Sequence, residues 1–514
     1  MPETEKGPRT APPSKTARYE EVMNVAARRG YFFRSADSYP NIPAGFWDYG
    51  PLGVLFKNRY LELWRRLLVK RDEMVEIDTA EILPRAIFVA SGHVGNFSDP
   101  IVECANCHSI YRADKLIEEK VGRAVPEGLK GEEYDALLSE NGIVCSNCKR
   151  PLGGTTRFNM MFRVGIGPLG EEAYLRPETC QGIFVDAPFL FKTQRIKLPK
   201  GFAQVGKSFR NEIAPRQGIL RQREFYQAEI EVLFNPERVD LPKFDAALDY
   251  PLSISVGDVE PSSVRVSEAI ARGVVPNRLV GYYLYLIQSF YEAVGISALD
   301  IRLRALSEKE KAFYSAVAFD LEVRTSVGWL ELVACNYRSD YDLKQHSQAS
   351  GSDFTVEDEG GKKVLPHVFE LSMGIGRSLY AILEASFRVE PTRTYLAIPP
   401  IVAPVQAAVF PLVSKDGLPE KAREVYDALR YDVEMTYDEG GSIGRRYARA
   451  DEAGVPFCLT VDGETLSQGT VTVRERDSKV QEKVAVAQLG PWLRGRLSSR
   501  SANPPPPPPS PAGA

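Results

Sequence analysis

Apolar and polar residues change period several times along this chain, and each change marks a predicted element. Apolar positions recur at helical spacing over residues 19–29 and 52–70, which predicts two amphipathic helices. β-Branched residues are prominent over 73–83 and predict a strand. Residues 155–234 read as a run of strands, with 157–164, 173–175, 201–211 and 224–234 as its members. Residues 236–324 mix strand and helix patterns, include an apolar helical run at 279–294, and read as an insertion. Strand character returns at 329–335 and 367–371, followed by a helix at 377–387. Beyond about residue 391, strands (within 396–413, then 433–436, 457–461 and 470–474) alternate with helices (418–430 and 443–453). Alternation of that kind suggests a compact α/β domain.

A chain of 514 residues is too long for one core and implies roughly two to four domains. Residues 1–17 are polar and proline-bearing, which predicts a flexible tail rather than a signal or transit peptide. A polyproline run marks residues 494–514 as a disordered tail. No stretch approaches the roughly 20 apolar residues of a membrane helix. The net charge of −4 argues against wholesale coating of nucleic acid, while leaving room for a local basic track.

Four of the seven cysteines form two Cys-x-x-Cys pairs, Cys104 with Cys107 and Cys145 with Cys148. Without a secretory signal, that pattern predicts metal ligation in a reducing cytoplasm rather than disulfides. Four thiolates suit a closed, tetrahedral, structural zinc site. His108 reads as a bystander, and Cys180, Cys335 and Cys458 as buried thiols.

Two short motifs invite a nucleotide reading. Residues 201–208 fit the P-loop pattern, which would make the chain a P-loop nucleotide hydrolase with Lys207 at its centre. A P-loop needs a long helix starting at the lysine, and Pro215 and Gly218 break any such helix. Gly165-Ile-Gly167-Pro-Leu-Gly170 matches a dinucleotide pattern, yet Pro168 suits a turn and no helix begins there.

Residues 201–234 read better as strand, loop and strand. Arg210 and Glu212 stand at the end of the first strand, and Arg216, Arg221 and Arg223 make the loop basic. Residues 224–229 return with alternate side chains facing one site. An arginine so placed grips a phosphate through two donors, and Phe225 can stack a nucleobase. Gly374-Ile-Gly376-Arg377 offers a second arginine at a strand-to-helix junction, where glycine lets backbone and ligand approach closely.

These segments resemble the second and third signature motifs of class II aminoacyl-tRNA synthetases, and the helix at 52–70 with Ile82-Leu83-Pro84 resembles the first. The chain is similar to the homodimeric glycyl-tRNA synthetase family in Trp47-Asp-Tyr-Gly-Pro-Leu-Gly53, Arg176-Pro-Glu-Thr179 with Gln181-Gly182, Arg223-Glu-Phe225 and Arg338-Ser-Asp-Tyr-Asp-Leu343. The likeness covers nearly all of residues 19–493 and implies an α+β fold. An antiparallel catalytic sheet with helices would occupy 18–393, carrying a zinc-binding insertion at 104–154 and a second insertion at about 236–324. An anticodon-binding α/β domain would occupy 394–493.

The resemblance also implies roles. Arg210 would meet the α-phosphate and the glycine carboxylate. Asn211, Glu212, Leu220, Arg221, Gln222, Phe225, Gly376 and Arg377 would hold ATP. Glu331 would organise magnesium, with Leu332 lining the nucleotide site. Glu178, Glu229 and Glu370 would surround the glycine ammonium, whose three donors three carboxylates can satisfy. Phe225, Gln227 and Ser372 would complete the pocket, and exclusion of anything larger than glycine would set specificity. Arg445, Arg446, Arg474 and Arg476 would face the anticodon of tRNA(Gly). The run Cys335-Asn-Tyr337 departs from the family's pattern, so no role falls to Asn336 or Tyr337. The expected partners are ATP, glycine, tRNA(Gly) and a second copy of the chain, in the cytoplasm. A catalytically silent, RNA-binding relative is the remaining alternative. It would have no need of Arg210, Arg377 and three pocket glutamates together.

Overall fold

Stretches whose side chains alternate with a period of two assemble into one sheet of nine strands, which we take from a computed structural model describing residues 15–498 except 124, 127, 128, 214, 216, 258, 309, 359 and 360. Most of the N-terminal tail, Arg216 and the polyproline run lie outside the described residues. The strands are β1 (Val75–Ile77), β2 (Lys200–Phe209), β3 (Glu224–Phe234), β4 (Pro251–Val256), β5 (Ser262–Arg265), β6 (Ile301–Ala305), β7 (Val317–Thr325), β8 (Gly328–Ser339) and β9 (His367–Gly374). Their order is β5-β4-β6-β7-β8-β9-β3-β2-β1. Every neighbouring pair is antiparallel except β1 on β2 and β4 on β6.

Two predicted strands divide. Residues 73–83 give β1 and a separate strand, Ile82–Pro84, which pairs with Glu171–Leu175 in a three-stranded sheet. Residues 157–164 split between Leu152–Asn159 and Arg163–Ile166, because the Asn159 side chain accepts from the Met161 amide at 2.9 Å and turns the chain. The segment 236–324 is not set apart from the sheet. It supplies β4 to β7, and Leu252, Leu303 and Leu321 share one core with Ile230, Val232 and Leu371 of β3 and β9. The apolar helix α3 (Arg278–Ala293) is buried almost all round by that core, as its sequence requires. Three more helices shape the site: α1 (Pro51–Trp64), α2 (Cys180–Gln194) and α5 (Ile375–Ser386), with α4 (Tyr341–Ser350) following β8.

The C-terminal region has its own core around a five-stranded sheet, in the order Met435–Tyr437, Ala407–Pro411, Phe457–Val461, Thr470–Glu475 and Gln481–Ala485. Its last helix, Leu489–Ser498, runs past the expected start of the tail at 494, because Leu489, Leu493 and Leu497 form one apolar stripe into that core. Among the described residues no helix is long and apolar enough to cross a membrane.

Three of the four arginines expected on an anticodon face are instead structural. Arg446 donates to the Pro411 and Leu412 carbonyls, and Arg476 to those of Gly454 and Ile398 at 2.7 and 2.9 Å. Arg474 grips Asp451 through two bonds of 2.7 and 2.9 Å. All three are buried, so their cations are consumed inside the fold, and only Arg445 of the four is exposed. Arg393 adds a third bond to Asp451 at 2.7 Å, and Tyr31 donates to the Ala453 carbonyl at 3.0 Å, tying the C-terminal region to the catalytic one. Asp451→Ala therefore leaves the buried Arg474 guanidinium without its carboxylate and Arg393 with Glu390 alone. We expect it to destabilise the C-terminal region by about 3–5 kcal/mol, read as a fall in the midpoint of its urea transition.

Candidate active site

Strand alternation puts Phe225, Gln227, Glu229 and Glu231 on one face of β3. The antiparallel register with β9 sets Ser372 opposite Glu229 and Glu370 opposite Glu231. Ser372 and Thr179 hydroxyls each donate to Glu229 at 2.5 Å, and Gln227 Nε2 donates to Glu229 and to Ser372 at 3.1 Å. The Gln227 carbonyl oxygen is buried and accepts from nothing, an acceptor left open in the pocket. Glu178 joins from the turn before α2, where Cys180, Gln181 and His93 contact its Oε1 at 3.0, 3.1 and 3.2 Å.

Arg338, at the end of β8, holds these acids together. It is fully buried and meets Asp342 at 2.6 and 2.8 Å, Glu370 at 3.0 Å and Glu178 at 4.0 Å. Its guanidinium lies 3.7 Å from the Tyr314 ring centroid, and Asn336 satisfies the other oxygen of Glu370 at 2.7 Å. Burial pushes Glu370 up to about 8, with Arg338 pulling it back and the Glu178 charge adding to the rise. Burial also raises Glu229, helped by the Glu178 charge and moderated by the Ser372 and Thr179 hydroxyls. For Glu178 burial acts upward too, but His93 and Arg338 outweigh it and hold its carboxyl well below the usual range. Glu231, buried with both oxygens unpartnered, is pushed well above that range by burial and by the Glu370 charge.

The expected nucleotide side adjoins this pocket. The Arg210 guanidinium lies 5.4 Å from the ring centroids of both Phe97 and Phe225, and its Nε donates to the Pro177 carbonyl at 3.1 Å, next to Glu178. Glu212 pairs with Arg221 at 2.7 Å, while the Asn211 amide donates to the Met160 carbonyl at 2.7 Å. Arg377 donates to the Leu220 carbonyl at 3.2 Å and faces the Glu331 carboxylate at 3.3 Å. Gly376 admits this packing, because an added Cβ would lie 3.0 Å from the Gln222 amide nitrogen and 3.1 Å from Ile219. Leu332 differs from expectation: its side chain is buried in the main core at a β-bulge, so only its backbone can face a nucleotide.

Neither nucleotide motif has the structure its pattern demands. Residues 201–208 lie inside β2, and Lys207 pairs with Glu224 on β3. Gly206 is there to admit Arg176, whose Nη2 would be 2.0 Å from an added Cβ. Gly165 and Ile166 end the strand Arg163–Ile166, and residues 167–170 form the hairpin turn to Glu171–Leu175.

The cysteine pairs converge at the tip of a lobe. Its sheet joins Ile110–Arg112, Ser98–Cys104 and Leu152–Asn159, over a small core that includes Val102, Ile117 and Leu138. All four Sγ atoms lie within 4.8 Å of one another, with Cys104–Cys148 and Cys107–Cys145 at 3.5 Å. Zn–S bonds of about 2.3 Å place tetrahedral sulfurs about 3.8 Å apart, so the donor set fits a metal of that kind. His108 is exposed, bonds Glu103 at 2.7 Å and takes no part. Cys180, Cys335 and Cys458 are buried free thiols.

Sequence reasoning missed Arg338 as the hub, together with His93, Asp342, Asn336 and Glu231. One signal was available: Glu229 and Glu231 alternate with apolar residues in the run Ala228 to Phe234, and buried acids demand a buried cation.

Comparison with known proteins agrees with this geometry. Residues 162–246 match the family "tRNA synthetase class II core domain (G, H, P, S and T)", and residues 406–496 match "Anticodon binding domain". The chain is 38% identical to a glycine–tRNA ligase of Methanocaldococcus jannaschii, over 93% of this chain and 99% of that protein. It is 37% identical to the glycine–tRNA ligases of Methanothermobacter thermautotrophicus and Pyrococcus furiosus, over 92% of this chain and 98% of each. A crystal structure of prolyl-tRNA synthetase from Cryptosporidium parvum shares the fold, with a TM-score of 0.56 at 14% identity, covering 93% of this chain and 74% of that one.

The buried charge cluster makes a specific demand on stability. Arg338→Gln removes the cation facing Asp342, Glu370 and Glu178. We expect a loss of about 3–5 kcal/mol at neutral pH, shrinking in acid as the carboxylates take up protons. Urea denaturation at several pH values measures both.

Proposed function

This chain belongs to the glycine–tRNA ligase family, and from that premise we propose how its own residues perform the reaction. The enzyme joins glycine to tRNA at the expense of ATP. The observation that carries the residue assignment is the convergence of Glu178, Glu229 and Glu370 beside Arg210, so that an ammonium pocket and a phosphate-binding arginine adjoin.

Glycine enters with its ammonium among the three carboxylates and the free Gln227 oxygen. Its own carboxylate points to Arg210, where it attacks the α-phosphorus of ATP in line and pyrophosphate leaves. The 3′-terminal hydroxyl of tRNA then takes the glycyl group. Arg210 and Arg377 neutralise phosphate charge, and positioning supplies much of the rest. Ser372 and Gln227, bonded to each other and to Glu229, close the space beside the α-carbon. An added methyl costs on the order of 1–3 kcal/mol against so fixed a wall.

Glu331 supplies a hard oxygen ligand for magnesium, with Glu322 opposite it across β7 and β8. Magnesium, when bound, offsets charge on the phosphates. Cys104, Cys107, Cys145 and Cys148 hold a structural zinc. Ile82 and Val89, exposed apolar residues on either side of Pro84 in the chain, support a homodimer through that segment. Residues 406–496 take the anticodon arm, with Arg445 as an exposed cation. Two separate cores support a catalytic unit followed by an anticodon unit, with residues 396–403 packing into the first core, past the expected boundary at 393.

Amino-acid-dependent ATP–pyrophosphate exchange tests the reading. Glycine alone of the standard amino acids is expected to support it. Arg377→Ala should cut the rate by at least ten-fold and Lys207→Ala by less than about two-fold. Exchange with another amino acid, or none from protein that binds ATP, would sink the pocket assignment.

Glu370 gives a pH test. Its folded pKa of about 8 lies above the ordinary 4.5, so the glycine-free protein holds that proton between the two values and loses the associated stability as pH rises through 8. The ammonium requires the carboxylate. Glycine binding therefore expels a proton, and affinity should rise by up to about ten-fold per pH unit from 6 toward 8 and then level off. Calorimetry in buffers of different ionisation heat reads that proton directly.

A further inference from the structure

One imidazole stands in this pocket without a part in the reaction described. His93 opens the short helix His93–Asn96 and is buried, its ring between Phe88 and Phe97 at centroid distances of 5.9 and 5.6 Å. Its Nδ1 lies 2.8 Å from the buried Ser91 hydroxyl, and its Nε2 lies 3.2 Å from Glu178 Oε1. Asn159 anchors the backbone, donating to the His93 and Val94 carbonyls at 3.3 and 3.0 Å. The ring is held by two aromatic neighbours, at both nitrogens and through its main chain.

The contacts of Glu178 are one-sided. His93, Cys180, Gln181 and Arg338 all approach Oε1, and among the described residues none donates to Oε2. A carboxylate held by one oxygen keeps the other for a ligand. When the Ser91 hydroxyl donates to Nδ1, the imidazole proton must sit on Nε2, facing Glu178.

We propose that His93 is a positioning residue for the amino-acid substrate, clamping Glu178 by Oε1 so that Oε2 meets the glycine ammonium. The inference rests on the reading that Glu178 binds that ammonium. His93 touches no reacting atom and acts only through Glu178. Its removal therefore weakens glycine binding and leaves the ATP side, built from Arg210, Arg221 and Arg377, as it was.

The test is a double-mutant cycle in pyrophosphate exchange, with glycine and ATP KM measured separately. His93→Ala is expected to raise the glycine KM about ten-fold or more while the ATP KM stays within about two-fold. His93→Gln, which returns an N–H near Nε2, should recover most of the loss. In a Glu178→Gln background, His93→Ala should add little. An unchanged glycine KM, equal rises in both KM values, or full additivity with Glu178→Gln would overturn the proposal. If Glu178→Gln itself leaves the glycine KM unmoved, the pocket reading has failed instead. Should His93→Ala not fold, Ser91→Ala, which frees the Nδ1 side alone, is expected to shift the glycine KM in the same direction by a smaller factor. No shift would overturn the proposal equally.

Discussion

The pocket depends on one buried guanidinium. Arg338 has no contact with water and neutralises acids contributed by three separate stretches of chain: Glu178 before α2, Asp342 at the start of α4 and Glu370 on β9. Bringing such acids together costs several kcal/mol per ion unless a cation with the right geometry stands among them. A planar five-donor group suits the task, because it can grip Asp342 with two nitrogens and still reach Glu370. Further carboxylates can then be left partly uncompensated, and a cationic ligand completes the neutralisation. The site is thus set up to be short of one positive charge.

Much of this could be read from the chain, and the reasons for the rest are physical. Strand β3 appeared at its predicted bounds because eleven residues of strong strand character leave one reading open. Strands near 73–83 and 157–164 were joined wrongly, since a polar turn such as the one at Asn159 is set by a single side-chain bond that composition does not reveal. The segment 236–324 was expected as an insertion because its pattern changes; its strands nevertheless pair edge to edge with the catalytic ones, and pairing is a long-range property.

Site residues divide in the same way. Glu178, Glu229, Glu370 and Ser372 came through resemblance, and the register of β3 against β9 brings the last three into one patch. Arg338 lay inside a quoted string yet received no role, because its partners are up to 160 positions away along the chain (338 − 178 = 160). The three C-terminal arginines show the converse. A basic string looks like a surface for RNA until burial is known, and Asp451, the partner that consumes Arg474, lies 23 residues away.

That burial has a consequence for how RNA is held. A cation contributes to the salt sensitivity of nucleic-acid binding only when it displaces condensed counterions from phosphate, with a slope of about 0.7 to 0.9 per phosphate neutralised. Arg446, Arg474 and Arg476 pair within the fold and displace none. The C-terminal region then has fewer arginines for ionic contact with RNA than its arginine-rich strings suggest. Whatever salt dependence that binding has falls to exposed cations such as Arg445, not to these three.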